Sequence, residues 1–257
     1  MLLSLNSAYA APWGQDLLHD INLQLGPGQI LGVLGPNGAG KTSLLNLLCG
    51  ATSLSRGEYL FGDRPMHEWP ILQRARAQAV LPQHSSLNFP YTVEEVVLLG
   101  RTPHDSGRAI DAQVVDAVLD ATDTRSLRAR LYTQLSGGEK QRVQLARVFA
   151  QVWRAQDATQ RLLLLDEPTS ALDLSHQKLI MHSVRTLADQ GCAVVIIVHD
   201  FNLAARYTDL CLVLQDGRQR ALGTPTQIFT PEMFREVFAV DVTVSKHPKV
   251  DIPLVIQ

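Results

Sequence analysis

Residues 35–42 read Gly-Pro-Asn-Gly-Ala-Gly-Lys-Thr, and few strings of this length constrain a chain so tightly. They fit the pattern G-x-x-x-x-G-K-[ST]. A short apolar strand, Gln29–Leu34, precedes them, and helically spaced apolar residues follow from Lys41 to Cys49, closed at Gly50. The glycines serve backbone access. A phosphate chain is bound by successive N–H groups curled around it, and Cβ atoms would block the curl. The following helix adds the positive end of its dipole. Lys41 supplies a point charge for the β- and γ-phosphates, and Thr42 a hydroxyl for Mg²⁺. The pattern alone admits kinases, GTPases and many ATPases. No N-K-x-D string occurs, so a GTPase would lack its guanine-reading element.

The rest of the pattern predicts an α/β fold. Leu2–Tyr9 and Ile21–Leu25 suit two strands of an opening antiparallel sheet. Arg161–Leu165 and Ala193–Val198 are continuous apolar runs, as buried parallel strands are. Asp173–Gln190 between them reads as a crossover helix closed by Gly191, and strand, helix, strand implies right-handed parallel connections. Leu210–Leu222 reads as a hairpin turning at Asp216-Gly217. From about His84 to Trp153 only helix signals occur, including a capping box at Thr92–Glu95 and apolar Val114, Val115, Val118 and Leu119 at helical spacing. Met233–Val240 reads as a short helix, and the tail beyond it carries no signal.

Composition excludes some classes. The net charge of -2 gives no support for a nucleic-acid binder or a basic membrane-surface protein. No apolar run approaches the ~18–20 residues of a membrane span. The N-terminus lacks a basic region and an apolar core, so no signal peptide is expected. Cys49, Cys192 and Cys211 are few, far apart and in apolar settings, as core thiols of a reducing compartment are. A cytoplasmic protein is expected.

Two further strings carry chemistry. In Arg161-Leu-Leu-Leu-Leu-Asp-Glu-Pro168 an apolar strand delivers Asp166 at its C-terminal end, where ligands gather in open α/β sheets. Asp166 suits a Mg²⁺ shell, and Glu167 can reach an attacking water as general base. In Leu135-Ser-Gly-Gly-Glu-Lys-Gln141, Ser136 and Glu139 form a capping box, and two glycines allow the turn. The same helix start can also bind an anion through the serine hydroxyl and glycine N–H groups. One nucleotide cannot use both phosphate sites of a single chain, so the second should serve a partner's nucleotide.

The phosphate loop, LSGGE, LLLLDEPTSALD and VHD stand in the order and spacing of an ATP-binding-cassette (ABC) ATPase, and the whole chain resembles that family. The resemblance implies a P-loop (RecA-like) core at 1–83 and 154–257 with an antiparallel β subdomain. It also implies an α-helical subdomain inserted at about 84–153, and a homodimer with two ATPs at its interface. Gly35, Pro36, Asn37, Gly38, Ala39, Gly40, Lys41, Thr42 and Ser43 match the Walker A segment. Gln83 matches the Q-loop glutamine, which reaches Mg²⁺ and water. Ser136, Gly137 and Gly138 match the signature on the γ-phosphate. Asp166 and Glu167 match Walker B and the catalytic base, and Asp173 closes the D-loop. His199 matches the switch histidine, and its place just past a strand end suits that role. The family stacks adenine on an aromatic residue; Tyr9 and Trp13 both fit, with Tyr9 preferred.

A single cassette without membrane spans resembles a bacterial importer subunit. It would work with two copies of a separate transmembrane permease and a periplasmic binding protein, at the cytoplasmic face of the inner membrane, without nucleic acid. Within the iron-complex and vitamin B12 group, LPQHSSLNFPYTVEEVVLLGRTPH and VQLARVFAQVWRAQDATQRLLLLDEPTSALDLSHQ most resemble haem (hemin) importer ATPases. Ferric-siderophore and cobalamin importers are the neighbouring alternatives, and a soluble ABC ATPase a distant one. The extra Val152–Gln160 stretch is shared with the haem subgroup, although loops accept added length cheaply. The eight histidines are scattered and form no ligand pair. His84 and His104 are expected at a surface or facing the permease.

Overall fold

The computed structural model describes residues 1–12, 14, 17–83 and 87–256; Trp13 and His84 lie outside the described residues. In chain order, β1 (Leu3–Ala10), β2 (Leu18–Leu25) and β3 (Ile30–Leu34) lead into α1 (Lys41–Leu48), then β4 (Arg56–Phe61) and β5 (Arg64–Pro65). Next come α2 (Ile71–Ala77), β6 (Gln78–Leu81), α3 (Val93–Leu98), α4 (Arg108–Ala121), α5 (Gly137–Val152), β7 (Leu162–Asp166) and α6 (Leu174–Asp189). The chain closes with β8 (Ala193–Ile197), α7 (Phe201–Tyr207), β9 (Leu210–Gln215), β10 (Arg218–Gly223), α8 (Pro225–Ile228) and α9 (Pro231–Phe238). A last pair of strands follows, β11 (Thr243–Lys246) and β12 (Pro253–Ile256). Two compact units form, Met1–Glu68 with Val195–Gln257, and Trp69–Val194.

In the first unit the strands run in the order β5-β4-β1-β2-β10-β9-β3. β1 pairs antiparallel with β2, as expected of the opening strands, and also with β4, while β3 pairs parallel with β9, Leu31 opposite Leu210. Every residue of β3 is buried, the mark of a parallel strand covered on both faces. The β9–β10 hairpin turns at Asp216 and Gly217, both with positive φ (+52° and +69°), the backbone of a two-residue hairpin turn. The helix predicted at Met233–Val240 starts earlier, at Pro231, because Thr230 accepts the Met233 N–H and Pro231 suits a first turn. It stops at Phe238 because Ala239 is left-handed, at φ +55°. β11 and β12 form a terminal hairpin that alternates too weakly in burial to be read from the sequence.

In the second unit β6 and β7 pair in parallel, Gln78 opposite Leu162. All five residues of β7 are buried. Among the described residues from 87 to 153 there is no strand, only an isolated bridge between Thr92 and Leu131. α3 starts on the capping box expected at Thr92 and Glu95. α4 buries Val114, Val115, Val118 and Leu119 and packs on α5. Burial pushes the Cys192 thiol up to about 12, and in the first unit the Cys211 thiol up to about 11, as befits protonated core residues.

The Val152–Gln160 stretch is anchored rather than loose. Arg101 is 2% exposed. Its guanidinium donates to Asp111 (2.9 Å), the Ala150 carbonyl (2.8 Å), Ser106 Oγ (2.8 Å) and Asp157 (2.7 Å). Asp157 therefore ties the extra stretch to a buried cation. His104 also corrects the sequence expectation of a surface residue, since its side chain is 3% exposed. A tight turn, with the His104 N–H on the Arg101 carbonyl, folds the ring inward onto the Gln151 carbonyl at 2.8 Å. Burial, and then the charge of Arg101, hold its pKa below the ordinary histidine value. Removing Asp157 would leave part of a buried charge without its acceptor. Asp157→Ala is expected to destabilise the protein by roughly 3 kcal/mol, measured by denaturant unfolding.

Candidate functional site

The first unit builds a candidate phosphate cradle. β3 ends at Leu34, and the chain turns through Gly35 at φ +152°. A Cβ on Gly35 would stand 2.3 Å from the Leu214 carbonyl oxygen, so only glycine lets the loop lie against β9. Gly40 precedes α1 at φ +98°, and no side chain caps that helix. An uncapped helix start leaves N–H groups for an anion. Lys41 is buried, and its ammonium donates to the Gly35 and Pro36 carbonyls at 2.8 and 2.9 Å. Asn37, Gly38 and Thr42 are exposed, Ser43 is half-buried, and Ala39 is buried beneath them. These features fit a nucleotide's phosphates: a glycine-shaped loop, an uncapped helix and a cation held on the loop itself.

His199 joins this cradle from a distant part of the chain. A cavity of about 240 Å³ is lined by Gly35, Pro36, Asn37 and His199, with Phe201 and Phe238 as aromatic walls. Two strings far apart in sequence thus meet in one space. Phe201 and Phe238 were not among the sequence candidates. The four-residue spacing of Phe234 and Phe238 was the available signal, since it places both on one helix face.

Tyr9 lies at the far end of β1, and its ring is already engaged. The Arg56 guanidinium stands 4.1 Å over its centre, and the His19 ring meets it edge-on at 6.3 Å. One face of Tyr9 is thus covered by a cation–π contact from β4. Trp13, the other aromatic candidate, is outside the described residues.

The second unit carries the acidic group. Asp166 ends β7 at 2% exposure, and Glu167 follows at φ +50°. That left-handed conformation is uncommon for a residue with a side chain and costs of order 1–3 kcal/mol. The turn is held by Ser170, whose N–H and hydroxyl both donate to the Glu167 carbonyl (3.3 and 3.1 Å). Gln83 Nε2 donates to Glu167 Oε1 at 3.4 Å, so two predicted site residues meet. Gln141 of α5 donates to the Pro168 carbonyl at 3.2 Å, tying that helix to the same turn. Amide and carboxylate oxygens of this kind are the donor type a hard divalent cation takes.

Ser136 starts α5 as the capping box predicted. Its hydroxyl accepts the Glu139 N–H (3.3 Å), and Glu139 accepts the Ser136 N–H (2.8 Å). The Ser136 N–H, and then the Ser136 hydroxyl, hold the Glu139 carboxyl below the usual range. Gly137 faces open space, whereas a Cβ on Gly138 would approach the Ala171 carbonyl to 3.2 Å. Asp173 caps α6, accepting from the His176 N–H (2.9 Å) and the Ser175 hydroxyl (2.7 Å). The His176 ring lies 2.9 Å from Asp173 and 3.3 Å from Asp123.

The His176 N–H, foremost, and the Ser175 hydroxyl hold the Asp173 carboxyl well below the usual aspartate range. A depressed folded pKa contributes stability above the unfolded value, ~3.9, and loses it as pH falls through the folded value. Wild type is therefore expected to lose stability below about pH 4 more steeply than Asp173→Asn, measured by unfolding free energy against pH.

Comparison with known proteins gives a consistent picture. A family model described as ABC transporter matches residues 18–170. The hemin import ATP-binding protein HmuV of Pseudomonas entomophila (strain L48) is 53% identical over 99% of both chains. The protein of the same description from Pseudomonas aeruginosa is 49% identical, covering 95% of this chain and 94% of its own. A solved structure described as an inward-facing, metal-chelate type ABC transporter superposes with a TM-score of 0.80 at 28% identity, covering 99% of this chain and 96% of the other.

Proposed function

The chain belongs to the ABC transporter family, and on that premise we propose that it is the ATP-hydrolysing subunit of an importer of haem (hemin) across the bacterial inner membrane. The observation that carries the cargo is 53% identity to a hemin import ATP-binding protein over 99% of both chains. As a member of this family it binds and hydrolyses ATP. A second reading, uptake of another iron chelate such as a ferric siderophore, draws support from the metal-chelate type transporter at 28% identity. Cobalamin and a soluble, non-transport role are more distant.

The roles proposed for the residues follow from their chemistry. Residues 35–43 cradle the triphosphate with backbone N–H groups, and Lys41 neutralises its β- and γ-oxygens. Tyr9 stacks on adenine with the face that Arg56 leaves open. Mg²⁺, held by Thr42, Gln83 and Asp166, would compensate the charge of the β- and γ-phosphates. Glu167 takes the proton of the attacking water, and its contact with Gln83 supports that placement. His199 donates to the γ-phosphate, a reading supported by the cavity it shares with the loop. In a homodimer Ser136, Gly137 and Gly138 of one protomer face the nucleotide of the other, with Asp173 closing the D-loop nearby.

No helix among the described residues is long and apolar enough to cross a membrane. We assign the spans to two copies of a separate permease, fed by a periplasmic haem-binding protein. The helical subdomain at about 84–153 then passes ATP-driven closure of the 1–83 and 154–257 core to the permease. The chain would sit peripherally on the cytoplasmic face.

Glu167→Gln is expected to bind ATP and dimerise but to turn over at least ~100-fold more slowly, measured by phosphate release. Lys41→Ala fails earlier, with nucleotide affinity lost in a binding titration. Growth tests the cargo: a deletion strain with haem as sole iron source is rescued by wild type and not by Glu167→Gln. Normal growth on haem with failure on a ferric siderophore would favour the second reading.

A further inference from the structure

We infer that the C-terminal segment belongs to the hydrolysis apparatus: it holds His199 in place at the phosphate loop, and Asn202 is the positioning residue through which it acts. The inference deepens the reading of His199 given above and rests on it.

His199 is exposed, and the backbone on either side of it is anchored. Upstream, the Val198 N–H lies 3.4 Å from the Val33 carbonyl, two residues before Gly35. Downstream come three consecutive anchors. Asp200 caps α7, accepting the Asn202 and Leu203 N–H groups at 2.8 and 3.0 Å. The Phe201 ring meets Phe234, Phe238 and Phe229 edge-on, at 4.7, 4.9 and 6.0 Å. The Asn202 amide grips Val255 of β12 from both sides. Its Nδ2 donates to the Val255 carbonyl (3.0 Å), and its Oδ1 accepts the Val255 N–H (2.8 Å).

An amide that donates to and accepts from one residue's backbone copies the bonding of a neighbouring strand. Val255 is itself buried and paired with Val244 across the terminal hairpin. Phe238, from α9, lines the cavity that His199 shares with Gly35, Pro36 and Asn37. Phe201 and Asn202 thus join a helix and a hairpin, both C-terminal to the catalytic strings, to the segment that starts at His199. A proton donor acts only within about 2.6–3.2 Å of its acceptor. A displacement of about 1 Å can cost about 100-fold in rate, so the rigidity of this segment bears on turnover.

A double-mutant cycle on the purified full-length chain separates positioning from simple destabilisation. We expect Asn202→Ala to lower kcat for ATP hydrolysis about tenfold, with KM and nucleotide affinity within about twofold of wild type. In a His199→Ala background the same substitution should change kcat less than about twofold, because the group it positions is gone. Asn202→Asp keeps the acceptor for the Val255 N–H and loses the donor, so its kcat should fall between the two. It also serves as the test if Asn202→Ala does not fold. Equal losses from Asn202→Ala in both backgrounds would make the residue structural and overturn the proposal. A normal kcat in Asn202→Ala beside a depressed one in His199→Ala would overturn the proposal and leave the His199 assignment standing. A normal kcat in His199→Ala would remove that assignment, and the proposal with it.

Discussion

An ammonium group buried against two backbone carbonyls holds the phosphate loop together. Lys41 is the first residue of α1, yet its charge returns to Gly35 and Pro36 at the loop's other end. The loop is thereby closed on itself by the cation proposed to meet the phosphates, which favours a formed cradle over one assembled on binding. Its other support is steric. With 2.3 Å between a hypothetical Cβ at Gly35 and the Leu214 carbonyl, β9 fixes how close the loop can lie. Parallel pairing of β3 with β9 sets that register, so sheet topology and phosphate geometry are one requirement.

The acidic half obeys a different rule. β7 is buried throughout and apolar from Leu162 to Leu165, with Asp166 at its last position and Glu167 just beyond it. The turn that follows is over-determined: Ser170 bonds it twice, and Gln141 reaches it from α5. Several weak bonds thus secure a backbone that a free chain would avoid.

Strings with fixed spacing were legible, because their physics is local. Glycines before a lysine, a serine three residues before a glutamate and an apolar run before two carboxylates each state their own geometry. Gly35–Thr42, the Ser136 and Thr92 boxes and the Asp216-Gly217 turn all formed where read. Long-range contacts were not legible. Nothing local marks Arg101 for burial, because its partner Asp157 lies fifty-six residues on. His104 was misread for the same reason, since its burial depends on a turn and on Gln151 of α5. β11 and β12 went unread because so short a hairpin, tied back through Asn202, has no periodicity to detect.

Glu167 carries a backbone conformation that glycine would adopt without strain. With Glu167 as the proposed general base, selection for a stable fold and selection for hydrolysis pull in opposite directions at this position. A lineage that kept the fold but no longer needed turnover would gain stability by exchanging this glutamate for glycine. On that proposed role, retention of the glutamate marks a chain still held to chemical work, and its loss in a relative would be an early sign of an ATPase decaying into a binding protein.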